Sequence, residues 1–137
     1  PEKVKKDIPN GIVVFHDYNQ SISEPATSSN NWVIETTGKF RSERLFILAE
    51  HIPTSPRPIS YYRASEIYAL LGANKSKDDL DQFLDQETNK IIGRNSKTLE
   101  YIIQIKNMHP REIRKTLDSF RQNKSLIKSA RLPTWRP

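Results

Sequence analysis

The sequence predicts an α+β fold of the winged-helix kind: a three-helix bundle plus a β-hairpin wing, with an added N-terminal strand pair and a C-terminal helix. Three observations predict it. Apolar residues recur at helical spacing through 42–51, 60–71 and 76–84. The period then changes to two across 90–94 and 99–106, around the polar turn Asn95-Ser96-Lys97-Thr98. Helical spacing returns at Ile113, Leu117 and Phe120, behind a proline at 110 that suits a first helical turn. Helix, helix, helix, hairpin is the winged-helix order, in which each short helix buries one face against the other two.

The elements follow in order. Residues 1–40 read as an arm with two short strands and a Ser/Asn-rich loop. Ile12, Val13, Val14 and Phe15, followed by His16, Asp17 and Tyr18, form a β-branched and aromatic run after the turn signal Pro9-Asn10-Gly11. The polar stretch 19–31 is a long loop, and Trp32, Val33 and Ile34 make the second strand. The winged-helix domain spans 41–120. Ser42 caps a helix with Leu45, Phe46, Leu48 and Ala49, stopped by Pro53 beyond His51. Residues 53–58 hold three prolines and connect to a second helix, capped by Ser60, with Ala64, Ile67, Leu70 and Leu71 on one face and Gly72 as its stop. Ser76 with Asp79 three residues on is a capping box that uses Asp for Glu, opening a third helix whose apolar face is Leu80, Phe83 and Leu84. Residues 121–137 are a basic tail in which Leu126, Ile127, Leu132 and Trp135 interleave with the charges.

Composition narrows the function. The 137 residues include no cysteine, which removes disulfides, thiolate nucleophiles and Cys-based zinc sites together. No apolar run approaches the roughly 20 residues of a membrane span, and no signal peptide is present, so the expectation is an intracellular module without a membrane partner. The chain opens on Pro1, which points to a piece of something longer. Hydrophobic residues make up 35% and the net charge is +6, but the charge is uneven. Residues 1–105 carry 13 Lys/Arg against 14 Asp/Glu, while residues 106–137 carry 9 against 2, so all the excess lies in the last stretch. Such a block is attracted to nucleic acid or an acidic protein surface, or is simply well solvated.

Enzymatic chemistry finds little footing. His16-Asp17 could pair a base with its orienter, yet no serine sits in a nucleophile motif. His51 and His109 each lie at an expected helix end beside a proline, where capping is the better role than metal ligation. Gly11, Gly38, Gly72 and Gly93 are too scattered for a phosphate loop or a dinucleotide fingerprint. The expectation is a non-enzyme with no cofactor and no metal. Ser21, Ser23, Ser28 and Ser29 are weak candidates for modification within the long loop.

The stretch NKIIGRNSKTLEYIIQIKNMHPREIRKTLDSF (89–120) resembles the end of the C-terminal winged helix in the largest subunit of the origin recognition complex: apolar strand, polar wing, alternating strand, short turn, helix. The likeness covers about residues 42–120. Two departures, the N-terminal strand pair and an acidic third helix, fit better with the silencing branch of that family, the silent information regulator paralogues. The resemblance implies a nuclear protein of heterochromatin and transcriptional silencing, in which the domain homodimerises and bridges nucleosome-bound copies so that silent chromatin spreads. Itself and other silencing or chromatin proteins are the partners it implies.

The third helix separates this from DNA reading. Residues 75–87 carry Lys75 and Lys77 against Asp78, Asp79, Asp81, Asp85 and Glu87, a surface that the phosphates of a duplex repel. The expected self-association surface is therefore Ile12, Val14, Phe15, Tyr18 and Trp32, on a strand with apolar residues on both faces; equally, these residues could cover the core. The alternative is a DNA-binding winged helix of origin-recognition type using the wing and the basic tail, with Arg94, Lys97, Arg121, Lys124 and Lys128 on phosphates. A third class, docking of a different protein, differs from the first only in partner.

Overall fold

The computed structural model describes residues 2–20, 28–37, 44–53, 56 and 58–137. The described elements run α1 (Glu2–Asp7), β1 (Ile12–Gln20), β2 (Ser28–Thr37), β3 (Arg44–His51), β4 (Ile59–Arg63), β5 (Glu66–Leu71), α2 (Lys77–Phe83), β6 (Asn89–Arg94), β7 (Tyr101–Ile105), α3 (Pro110–Gln122) and β8 (Ile127–Arg131). They group into two compact units. One comprises Pro1–Ala64, Met108–Arg111 and Thr134–Pro137, the other Ser65–Asn107 and Glu112–Pro133.

In the first unit β1-β2-β3-β4 form an antiparallel meander. Ile34 lies beside Ile47, Trp32 beside Ala49, and Ala49 beside Tyr61, so one face is a continuous apolar surface. Val4 and Ile8 of α1 cover it, with Trp135 packed at the margin. Tyr61 fixes both covers: its hydroxyl donates to the Asp7 carboxylate, and its carbonyl accepts from the Trp135 N–H at 3.0 Å. Gly11 is required where α1 turns into β1, because a Cβ there would stand 2.4 Å from Ile34 Cγ2. On the other face Val33 and Leu48 are fully buried.

The second unit has the order β-α-β-β-α-β, with its strands arranged β6-β7-β5-β8 and every neighbour antiparallel. This is the split β-α-β arrangement. Ile67 lies beside Ile103, and Ala69 beside both Tyr101 and Ala130. The core adds Leu80 of α2 and Ile113, Leu117 and Phe120 of α3, all essentially inaccessible, and the two helices meet through Phe83 and Phe120 edge to face at 5.4 Å. By alternation Tyr68, Ile102, Gln104 and Arg131 lie on the opposite face of the sheet.

The winged-helix expectation is overturned: two four-stranded antiparallel sheets replace the three-helix bundle. The first expected helix is β3, whose Leu45, Ile47, Leu48, Ala49 and Glu50 are buried on both faces. A strand covered on two sides needs a continuous apolar run, and such a run imitates a helix in sequence. The second expected helix is β4 and β5, broken at Ala64-Ser65, and the helical spacing of Ala64, Ile67 and Leu71 is a coincidence across that break. Gly72 stops no helix; its N–H donates to the Leu126 carbonyl at 2.8 Å, beside β8. Residues 127–131 of the expected tail form β8, and Leu132 and Pro133 are buried after it. The capping box holds: the Asp79 N–H donates to Ser76 Oγ, and the Ser76 N–H donates back to the Asp79 carboxylate at 2.8 Å. The hairpin is β6 and β7, and the last helix is α3. The two N-terminal strands are present and longer than expected, running into the loop assigned to 19–31, of which 21–27 lie outside the described residues.

Candidate interaction surface

The surface is built on β1, an end strand of the first sheet. Its inner side pairs with β2 from Ile12 beside Glu35 to Gln20 beside Ser28. Among the described residues no strand pairs with its outer side. The other end strand, β4, differs, since Thr134 bridges to Tyr62 and the Trp135 N–H is bonded to Tyr61. Chain order explains the contrast: the C-terminal segment returns to β4, and among the described residues no segment returns to β1.

Of the five residues expected to self-associate, three are open to solvent. Ile12 is 67% exposed, Tyr18 68% and Val14 39%, and Val13 joins them at 55%. The remaining two are held within the chain. Phe15 is half-buried and meets the His109 ring edge-on at 5.4 Å, and Trp32 packs on the core while stacking flat on His16 at 5.2 Å. Phe15 and Trp32 thus support the strand, and Ile12, Val13, Val14 and Tyr18 present it. Sequence reading left out Val13, although its place in an unbroken β-branched run was the available signal.

The local electrostatics keep β1 nearly neutral. Asp17 is the strand's one formally charged residue, and Arg111 lies against it at 3.2 Å. His16 Nε2 lies 3.2 Å from Asn30 Oδ1. A register shift between Val13 and Phe15 marks a bulge at Val14, which strengthens the local twist.

The other expected residues scatter. Arg94 ends β6 and Lys97 lies in the following turn, whereas Arg121 lies in the last turn of α3, Lys124 follows the helix and Lys128 is on β8. Since β6 and β8 are opposite edges of their sheet, the two basic groups of the nucleic-acid alternative do not form one patch within it. Arg121 is further occupied, donating from Nε to the Ala130 carbonyl at 2.9 Å.

No protein-family model matches this chain, and no curated protein or solved structure does either.

Other candidates resolve into structure. His109 Nδ1 accepts from the Arg111 N–H at 3.1 Å, a cap at the start of α3 as expected. His51 ends a strand, not a helix. Ser29 is fully buried with its Oγ accepting from Asn31 Nδ2, which removes it as a modification site, while Ser21 and Ser23 lie outside the described residues. Asp17, Asn31, Glu50 and Ser60 form one row across the four strands, with Asn31 and Glu50 buried. Composition alone gave no warning of this polar layer. Among the described residues no three His, Asp or Glu side chains are grouped to hold a metal ion.

Proposed function

We propose that this chain is a non-enzymatic self-association module whose contact is the outer side of β1, paired antiparallel with β1 of a second copy. The observation that carries the reading is a nine-residue end strand without Lys, Arg or Pro, showing Ile12, Val13, Val14 and Tyr18 to solvent. Natural end strands are usually kept short, charged or covered. β1 has only the bulge at Val14, which turns the strand without charging it.

A second copy suits this edge better than an unrelated segment. Two-fold pairing presents the same strand to itself, so the surface must tolerate its own charge pattern. The run Ile12–Phe15 is uncharged, and the single carboxylate, Asp17, is compensated by Arg111. Pairing supplies the outer backbone groups with hydrogen bonds and removes four apolar side chains from water.

The role in heterochromatin silencing belonged to the winged-helix resemblance, and the two sheets leave that likeness without its structural support. Self-association stands apart from it, because it rests on β1.

Isotope-filtered NMR on equal amounts of labelled and unlabelled chain tests the contact. The proposal expects intermolecular NOEs within residues 12–18, abolished by Val13→Lys and Tyr18→Lys. Dimers whose NOEs lie elsewhere, or no intermolecular NOEs at about 200 µM, would overturn it.

A further inference from the structure

An open surface groove of about 420 Å³ lies in the second unit, lined by Lys77, Ile91, Ile92, Gly93, Arg94 and Tyr101. We propose that it binds a phosphate monoester carrying a planar apolar body, the chemistry of a mononucleotide. The site is independent of the β1 contact.

Arg94 carries the argument. Its Nε donates to the Leu99 carbonyl at 3.1 Å, and its guanidinium carbon lies 4.8 Å from the Tyr101 ring centroid. One hydrogen bond and one stacking contact therefore fix the plane of the group and leave its two terminal nitrogens as an open fork. Such a fork matches the oxygens of a phosphate in pairs. Among the described residues neither Arg94 nor Lys77 has a carboxylate within ion-pair distance, and none lines the groove. Although Asp78, Asp79 and Asp81 follow Lys77 in sequence, none of them lines the concavity, so two cations face a group carrying close to two negative charges at neutral pH.

The loop behind Arg94 is set in advance. Asn95 Oδ1 accepts from the N–H groups of Lys97 and Thr98 at 2.9 and 3.1 Å, and the Leu99 N–H donates to the Asn95 carbonyl at 2.8 Å. Leu99 holds φ at 65°, a conformation that costs a branched residue energy and is maintained by this turn. Little ordering remains for a ligand to impose.

The rest of the wall selects for more than an anion. Ile91, Ile92 and Tyr101 are apolar or aromatic, and Ile92 is 45% exposed in the present structure. The volume is many times the share of about 30 Å³ that a water molecule takes and falls in the usual range for organic ligands. Gly93 keeps the wall low although its own chain does not require it: a Cβ there would meet Ile102 Cδ1 at an ordinary 3.7 Å.

Amide and Arg Nε resonances of the ¹⁵N-labelled chain, titrated with AMP, GMP, CMP and UMP and then with adenosine and inorganic phosphate, test the site. At least one nucleotide shifts Gly93 and the Arg94 Nε, while nucleoside and phosphate alone bind at least about tenfold more weakly. Arg94→Gln and Lys77→Gln, both at exposed positions, each weaken the nucleotide by about tenfold, with the resonances away from the groove and the β6–β7 turn unchanged. Four nucleotides without effect up to about 10 mM would overturn the proposal. So would undiminished binding in the double variant, or inorganic phosphate binding as tightly as the nucleotide.

Discussion

Arg131 grips Glu100 with two parallel hydrogen bonds, Nε to Oε2 at 2.9 Å and Nη2 to Oε1 at 3.0 Å, while its guanidinium lies 5.0 Å over the Tyr68 ring. The pair joins the last residue of β8 to the residue before β7, across the intervening β5. Glu100 is nearly buried and Arg131 half-exposed, so the carboxylate depends on its partner more than the guanidinium does. Glu100→Gln and Arg131→Gln should each cost about 1–2 kcal/mol in urea unfolding, with the double variant costing less than their sum. Additive losses would show that the two side chains act independently.

The same pair sets a direction for acid sensitivity. Hydrogen bonding from Arg131 holds the Glu100 carboxyl below its ordinary value of 4.5, and hydrogen bonding from Tyr61 holds the Asp7 carboxyl below 3.8. Both groups bind a proton less readily folded than unfolded, so their contribution is complete above the unfolded values and is lost as pH falls through the folded ones. The contribution of these two carboxylates should be constant from neutrality to about pH 5 and decline below it. Glu100→Gln should remove part of that decline, which stability measurements across the acid range would read.

Tyr61 holds both chain ends, α1 through Asp7 and the C-terminal Trp135, against the first core. Burial, followed by the bond to Asp7, pushes the Tyr61 hydroxyl far above its usual range, so it remains a donor at all ordinary pH values. Tyr61→Phe should cost about 1 kcal/mol, the worth of one hydrogen bond. Trp135→Ala should cost about 2 kcal/mol because the half-buried indole packs edge-on against that ring at 5.8 Å. An unchanged stability in Trp135→Ala would mean that the indole contributes no packing to this core.

Gly11→Ala tests the close approach of α1 to β2. The new methyl would press on Ile34 and Ile8, at 2.4 and 2.7 Å, so a loss of about 1–3 kcal/mol is expected although the residue is not in the left-handed region. A thermal midpoint equal to that of the parent chain would show that α1 can yield.

How far the sequence reaches is seen in particular segments. Ser76 and Asp79 announce α2 because a cap is a local interaction and needs nothing from the rest of the fold. Asn95 likewise announces the β6–β7 turn, and Pro110 with Ile113, Leu117 and Phe120 announces α3. The failure lies at 44–71, where the apolar run from Leu45 to Ala49 matches a helical spacing only because it is continuous, both faces of β3 being buried, a property of distant partners. Ala64 and Ser65 break β4 from β5 without Gly or Pro, so two strands pass for one helix. Winged-helix and split β-α-β orders share the helix at α2, the hairpin and the last helix, and the flanking strands β5 and β8 tell them apart. The proposed contact strand was legible in part: the apolar run from residue 12 gave Ile12, Val14 and Tyr18, but the return of the C-terminus to β4, with no described segment returning to β1, is tertiary information.

The molar mass of the unmodified chain, measured by light scattering through a dilution series from about 200 to 2 µM, tests the central claim most directly. Pairing through β1 predicts twice 15.9 kDa at the top of the series, falling to 15.9 kDa on dilution, with Val13→Lys at 15.9 kDa throughout. A mass of 15.9 kDa for the parent chain at every concentration would contradict it.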